Sequence, residues 1–416
     1  MDTTHYDFDQ ELDRRGTNSL KWEFFLESDA VGRRLYTEAA FGADRMLPMW
    51  VADMDFPAPQ PVVDAVLRRA AHPIYGYAVP DPDYYAAVCG WMQRRHGWAV
   101  DPDWIVVSPG VVPALYMLVR AFCRPGEKVL IQPPVYPPFF SAVLHNDAVV
   151  AANPLIHDGG RYRMDFADLE AKLADPAVKL AILCSPHNPV GRVWTAEELR
   201  RFGELCLAHG VVVVADEIHG DLALPGHRFV PFASLGDELA QNTVVCTAPS
   251  KTFNLAGLKT ANLIVPNPEL RQQVVRAYVR SGFFGANPIG LAAARAAYTC
   301  GEAWLDQVLA YLDGNRRALE AFAAERLPQI AVTPLEGTYL AWLDCRGLGL
   351  DPAALKRLWV EGARVYPEMG TSFGAEGEGF VRLNIACPRP LLMEALARLE
   401  AAVNGRQPAA CAGAEA

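Results

Sequence analysis

Five short segments carry residue types that together can hold and use one reactive small molecule. Ser108-Pro109-Gly110-Val111-Val112-Pro113 is a glycine turn into a helix, whose free backbone N–H groups can cradle a phosphate. Gln132-Pro-Pro-Val-Tyr136-Pro-Pro offers an aromatic ring on a stiff loop, and Ser185-Pro-His-Asn188-Pro-Val-Gly191 offers an amide. Asp216-Glu217-Ile218-His219 supplies a carboxylate, and Thr247-Ala-Pro-Ser250-Lys251-Thr-Phe-Asn254 a lysine. Taken singly each is a weak signal, because a glycine turn is usually only a turn and Asn-Pro usually only a loop. Taken together they are the set that a phosphorylated pyridine aldehyde requires. The lysine condenses with the aldehyde, the carboxylate keeps the ring nitrogen protonated so that the ring draws electrons, and the amide bonds the phenolic oxygen.

Each segment follows a short β-branched run, and that rhythm identifies the elements that must position it. The runs Trp104 to Val107, Lys128 to Ile131, Lys179 to Cys184, Val211 to Ala215, Thr243 to Thr247 and Ala261 to Val265 alternate with amphipathic stretches. This predicts an α/β domain with a largely parallel sheet, in which ligands bind beyond the carboxyl ends of the strands. Helices are expected from near Val112, from Thr195 with its capping-box Thr-Ala-Glu-Glu, and from near Asn287. Helical signal runs from about Asn287 to Ala324. Strand-like Thr338 to Asp344 and Gly379 to Ile385 follow, then a last helix near Leu391 to Val403, which reads as a smaller α+β domain. The expected division is an N-terminal arm and part of the small domain over 1–50, a large domain over 51–286, a small domain over 287–404 and a disordered tail over 405–416.

Composition narrows the function further. The 416 residues are 51% hydrophobic, enough for large buried cores, and the formal net charge of −10 without any Lys/Arg run argues against nucleic acid as a partner. No stretch approaches the roughly 20 apolar residues of a membrane span, and the acidic start is unlike a secretory signal, so a cytoplasmic protein is expected. Nine cysteines, odd in number and without a CxxC pair, read as small buried apolar residues. Gly370-Thr-Ser372-Phe-Gly374 matches a GxSxG nucleophile elbow, but the last histidine, His227, precedes the serine, so the match is accidental. There is no P-loop, dinucleotide fingerprint or HExxH, and no metal is expected.

From about Arg15 to Arg389 the chain resembles fold-type I pyridoxal 5′-phosphate (PLP) enzymes, specifically the cystathionine β-lyases related to MalY and PatB. The resemblance is carried by Trp50-Val-Ala-Asp-Met-Asp-Phe56, Tyr75-Gly-Tyr77, Gly110-Val-Val-Pro-Ala-Leu115, Pro134-Val-Tyr136, Asn188-Pro-Val-Gly-Arg-Val-Trp194, Ala215-Asp-Glu-Ile-His219, Ser250-Lys-Thr-Phe-Asn254, Thr338-Tyr-Leu-Ala-Trp342 and Gly379-Phe-Val-Arg-Leu-Asn384. It implies an aspartate-aminotransferase-like fold, with a mostly parallel seven-stranded sheet in the large domain. It also implies a role for each matching residue. Lys251 would form the Schiff base with PLP and then move the Cα proton. Asp216 would pair with the pyridinium nitrogen, and Asn188 would donate to the phenolic oxygen. Many relatives have a tyrosine where this chain has His219, so the usual arrangement at that oxygen is altered here. Tyr136 would stack on the ring, while Gly110, Val111, Val112, Ser250 and Lys259 would hold the phosphate. Lys259 stands where many relatives have Arg and supplies a point charge without the bidentate fork. Tyr77 would reach the phosphate in a partner subunit's site, which implies a homodimer with shared active sites, and Arg382 would clamp the substrate carboxylate.

The reaction implied by the resemblance is α,β-elimination on an amino acid, with L-cystathionine or a related sulfur amino acid giving a thiol such as homocysteine, pyruvate and ammonia. That places the protein beside methionine biosynthesis. The PLP-holding motifs are shared with aminotransferases, which keeps transamination open, and the likeness to MalY also leaves room for a PLP-binding regulator that docks a transcription activator.

Overall fold

The computed structural model describes residues 5–28, 34–38 and 46–405; the expected tail beyond 405 and parts of the expected N-terminal arm lie outside the described residues. The chain divides into two units. The first comprises Met1–Tyr6, Pro57–Ala310 and Pro334–Thr338, and the second Asp7–Phe56, Tyr311–Thr333 and Tyr339–Ala416.

Seven strands form the sheet of the first unit: β1 (Ile105–Ser108), β2 (Lys128–Ile131), β3 (Val149–Ala152), β4 (Val178–Cys184), β5 (Val212–Asp216), β6 (Thr243–Thr247) and β7 (Ala261–Ile264). Their order across the sheet is β1-β7-β6-β5-β4-β2-β3. Only β7 runs against its neighbours, so β1, β2, β4, β5 and β6 all end at one edge. The long apolar runs make this sheet because a parallel sheet is covered on both faces and its strands need not alternate. Leu180, Ile182, Val214, Val244 and Leu263 lie in the core with Leu115 and Leu118 of the helix Val111–Phe122. Burial of each such side chain stabilises the fold by roughly 1.5–3 kcal/mol.

The helix expected near Thr195 runs Ala196–Ala208 with a complete capping box between Thr195 and Glu198. The long helical signal after Asn287 is two helices, Pro288–Cys300 and Glu302–Arg326, broken at Gly301. Pro288–Cys300 packs on Gln60–Ala71 and Pro82–His96, which places it with the first unit.

The second unit is built on a five-stranded sheet in the order Ala331–Val332, Leu340–Asp344, Phe380–Asn384, Val365–Met369 and Leu47–Met49. The helix Arg389–Val403 contributes buried Leu392, Leu396 and Leu399 to that unit. A buried ion network joins its N-terminal segment. Lys21, with its side chain 1% exposed, donates to Asp55 at 2.6 Å, and Arg14 bridges Asp53 and Asp55 at 2.7 and 2.8 Å. Ser372 of the GxSxG match sits on the short turn Gly370–Phe373, and its hydroxyl donates to Glu368 and the Met369 carbonyl. Of the eight described cysteines five are buried, while Cys300 is exposed and Cys89 and Cys123 are intermediate.

Candidate active site

Strand register brings the predicted segments to one edge. Ser108 lies opposite Ala261, Thr247 opposite Asn262, and Asp216 opposite both Cys184 and Cys246. The ladder continues one step past the strand ends, with Ser185 N–H donating to the Asp216 carbonyl at 3.0 Å and Glu217 N–H to the Cys246 carbonyl at 2.9 Å. The loops carrying Asn188, Asp216 and Lys251 therefore leave three adjacent strands, spread over about 10 Å of sheet edge. That is the span of one substituted pyridine ring.

The helix Val111–Phe122 starts directly after β1, and its first N–H groups have no intrahelical acceptor. Gly110 precedes them at φ +157°, ψ +164°, a conformation open essentially to glycine alone. The Ser108 hydroxyl donates to the Gly110 carbonyl at 2.8 Å and accepts from Tyr278 at 2.7 Å, so the turn is braced from below. Its dipole favours an anion here.

Asp216 ends β5 as a buried carboxyl that accepts from Ile218 N–H at 3.2 Å. Burial pushes it up to about 7, against the pull of that hydrogen bond and of the Lys251 charge. Glu217 beside it is also buried and pushed up to about 8, although one of its oxygens accepts from Phe232 N–H at 2.6 Å. A carboxyl so deprived of countercharge fits a protonated ring nitrogen as its missing partner. Ser250 and Lys251 lie, half-buried, on the four-residue turn Pro249–Thr252 that follows β6.

Asn188 is buried, and its loop is held by contacts that the sequence reading did not identify. His187 Nε2 lies 3.0 Å from the Pro134 carbonyl, tying this loop to the one that carries Tyr136. Burial lowers the His187 imidazole to about 4, which keeps it neutral. Arg192 donates to Glu336 at 2.9 Å and to Glu198 at 2.8 Å, and Glu336 N–H returns to the Gly191 carbonyl at 2.9 Å. A second unpredicted group surrounds Asp221, whose carboxylate meets His96, Trp91 and Thr252. Burial works to raise Asp221, but these partners prevail and hold it below the usual carboxylate range.

Tyr136 stands before the helix Pro137–Leu144, and His219 is buried three residues past Asp216. Lys259 is exposed, in a left-handed conformation at φ +52°. Tyr77 is fully exposed between the helices Gln60–Ala71 and Pro82–His96. Arg382 belongs to the second unit, where it is buried on the strand Phe380–Asn384, donates to the Trp50 carbonyl at 2.7 Å and stacks 4.9 Å from the Phe373 ring.

The family model for aminotransferase class I and II matches residues 46–399. The chain is 46% identical to cystathionine beta-lyase PatB of Bacillus subtilis over 95% of its own length and 100% of that protein. It is 33% identical to protein MalY of Escherichia coli, covering 96% and 99%. Among solved structures, cystalysin from Treponema denticola, which contains a pyridoxal 5′-phosphate cofactor, superposes with a TM-score of 0.90 at 34% identity, over 97% of this chain and 100% of that one. The match in sequence and in backbone superposition over nearly the whole length is a family relationship, and the chain belongs to the aminotransferase class I and II family, within it to the PLP-dependent carbon–sulfur lyase group of PatB and MalY.

Proposed function

We propose that the protein cleaves the Cβ–S bond of L-cystathionine or a related sulfur amino acid, releasing a thiol and, with uptake of water by the remaining three-carbon fragment, pyruvate and ammonia. The observation that carries this reading is the convergence of Lys251, Asp216, Asn188 and the Gly110 turn on one sheet edge, in a chain 46% identical over its length to a cystathionine β-lyase. When bound, PLP supplies an electron sink that stabilises charge at the substrate Cα.

The chain's own residues do the rest. Lys251 would hold the cofactor through its aldehyde carbon and, as a free amine, would take the substrate's Cα proton on its Nζ. Asp216 would pair with the ring nitrogen and keep it protonated, since burial raises the carboxyl and favours a positive partner. Asn188 would orient the ring through its phenolic oxygen, and His219, buried on the loop that carries Asp216, stands where many relatives have the tyrosine that serves that oxygen. Tyr136 would cover the ring face. The N–H groups of Val111 and Val112, the Gly110 turn, Ser250 and Lys259 would bind the phosphate. Arg382 would donate to the substrate carboxylate through its planar fork.

Tyr77 is assigned to a neighbouring subunit's phosphate. It stands in an exposed apolar patch with Ile74, Val79 and Phe284, which are 67%, 76% and 74% exposed. A patch of that kind calls for a partner surface, and a second copy of the chain supplies it. The test is to incubate the purified protein with PLP and L-cystathionine, without any keto acid, and to assay pyruvate and free thiol together. Equal release of both is expected. A keto product that forms only after a second keto acid is added would replace elimination with transamination.

A further inference from the structure

The turn that bears Lys251 is too short to define its own geometry. In Pro249–Thr252, Phe253 N–H donates to the Pro249 carbonyl at 2.9 Å and Leu255 N–H to the Ser250 carbonyl at 3.0 Å, and side-chain contacts from outside the turn fix the residues after the lysine as well. The Thr252 side chain is fully buried, and its hydroxyl donates to Asp221 Oδ2 at 2.7 Å. The other oxygen of Asp221 accepts from the Trp91 indole at 2.9 Å and lies 2.7 Å from His96 Nε2, with the Asp221 side chain only 11% exposed. Phe253 is wedged between Trp91 and Trp304, with ring centroids at 5.4 and 6.1 Å. Gly301 leaves room for it, since a Cβ there would lie 2.4 Å from the Phe253 ring.

Asp221 also belongs to the loop that carries Asp216. Gly220 N–H bonds the Glu217 carbonyl and Leu222 N–H the His219 carbonyl, both at 2.8 Å, so residues 216–222 form one continuous run of turns. The hydrogen bond from Thr252 to Asp221 therefore joins the carboxylate loop to the lysine turn. Trp91 and His96, on the helix Pro82–His96, hold that junction from behind.

We infer that Asp221 and Thr252 are positioning residues, whose mutual hydrogen bond sets where Lys251 stands relative to Asp216. The inference rests on the proposed role of Lys251 and adds a support that acts through it without touching cofactor or substrate. Uptake of the cofactor by Lys251 depends on this bond, because the amine must reach the aldehyde while the ring nitrogen stays on Asp216.

Three variants test it in the full-length protein: Thr252→Val, which removes the hydroxyl at nearly constant volume, Thr252→Ser, which restores it, and Asp221→Asn. Thr252→Val is expected to lower kcat by about tenfold with KM within about twofold. It should also weaken PLP binding, followed by the visible absorption of the bound cofactor, and Thr252→Ser should recover both. In the cofactor-free protein, amide hydrogen exchange of the peptide spanning 249–254 should quicken by about tenfold, while that spanning 380–384 is unchanged. Because the two side chains share one bond, the Thr252→Val/Asp221→Asn double variant should be no worse than the poorer single variant. Unchanged exchange at 249–254 together with an unchanged cofactor spectrum in Thr252→Val would overturn the inference, as would additive effects in the double variant. If the wild type itself takes up no PLP, the proposed function fails, and the exchange measurement still decides the clamp.

Discussion

Asp216→Asn should make the cofactor-free protein more stable and the cofactor-bound protein useless. Burial pushes the Asp216 carboxyl up from 3.8 to about 7. Between those two values the folded chain keeps a proton that the unfolded chain has lost, so stability falls as pH rises through that window and levels off above it. Each unit of displacement is worth about 1.4 kcal/mol, which sets an upper figure of about 4 kcal/mol for the burden this carboxylate places on the empty fold at about pH 8. The asparagine is nearly isosteric, its carbonyl oxygen still accepts from Ile218 N–H, and it carries no charge to desolvate. Urea unfolding of the cofactor-free wild type and variant, measured from about pH 4 to about pH 8, should therefore show coincident curves at the acid end. They should diverge steadily above it, with the variant ahead. Glu217, pushed up to about 8, contributes a slope of the same sign to both proteins and does not hide the difference. With PLP added, the order should reverse, because only the wild type has a carboxylate to meet the ring nitrogen. A variant less stable than the wild type at about pH 8, or a wild-type curve without slope, would refute the idea that Asp216 is a desolvated charge awaiting a cation.

Two further outcomes follow from buried or exposed groups elsewhere. Asp55→Asn removes the negative charge 2.6 Å from Lys21, whose side chain is 1% exposed, and should cost up to about 3–5 kcal/mol, read as a lowered unfolding midpoint in urea. Phe284→Asp places a charge in the exposed patch that includes Tyr77; sedimentation should show a monomer and elimination should be lost, whereas a variant that stays dimeric and active would remove that patch from the proposed subunit interface.

Much of this site was legible because its residues announce themselves locally. All six apolar runs end within one residue of a strand end, and five of them lead into a segment that carries chemistry, as with Asp216 after Val211 to Ala215 or Lys251 in the turn after Thr243–Thr247. Thr195 and Glu198 form the capping box their spacing implies, since such a box needs only neighbours three apart. The strand Val149–Ala152 escaped notice for an equally physical reason. It lies at the sheet edge with Val149 exposed, and its apolar run has only two β-branched residues among alanines, which a helix accommodates equally well. The long helical signal after Asn287 concealed the break at Gly301, because Gly301 is set by the Phe253 ring, far away in the chain, and not by any turn signal nearby.

The residues that sequence missed share a property that explains the omission. Asp221 reads as an ordinary acid after a glycine, and His96 as one more polar residue at the end of an amphipathic helix. What makes them a site is a contact across 125 residues of chain, and the bond from Thr252 to Asp221 spans 31. The same holds for Glu336, which satisfies Arg192 from 144 residues away. Spacing can mark a group that meets the reacting molecule, because strand ends converge by topology. It cannot mark a group whose work is to hold another side chain, because that partner is chosen only when the chain has folded. A lysine read from sequence is thus a statement about chemistry, whereas the place of its amine is settled by a threonine, a carboxylate, an indole and an imidazole that carry no motif of their own.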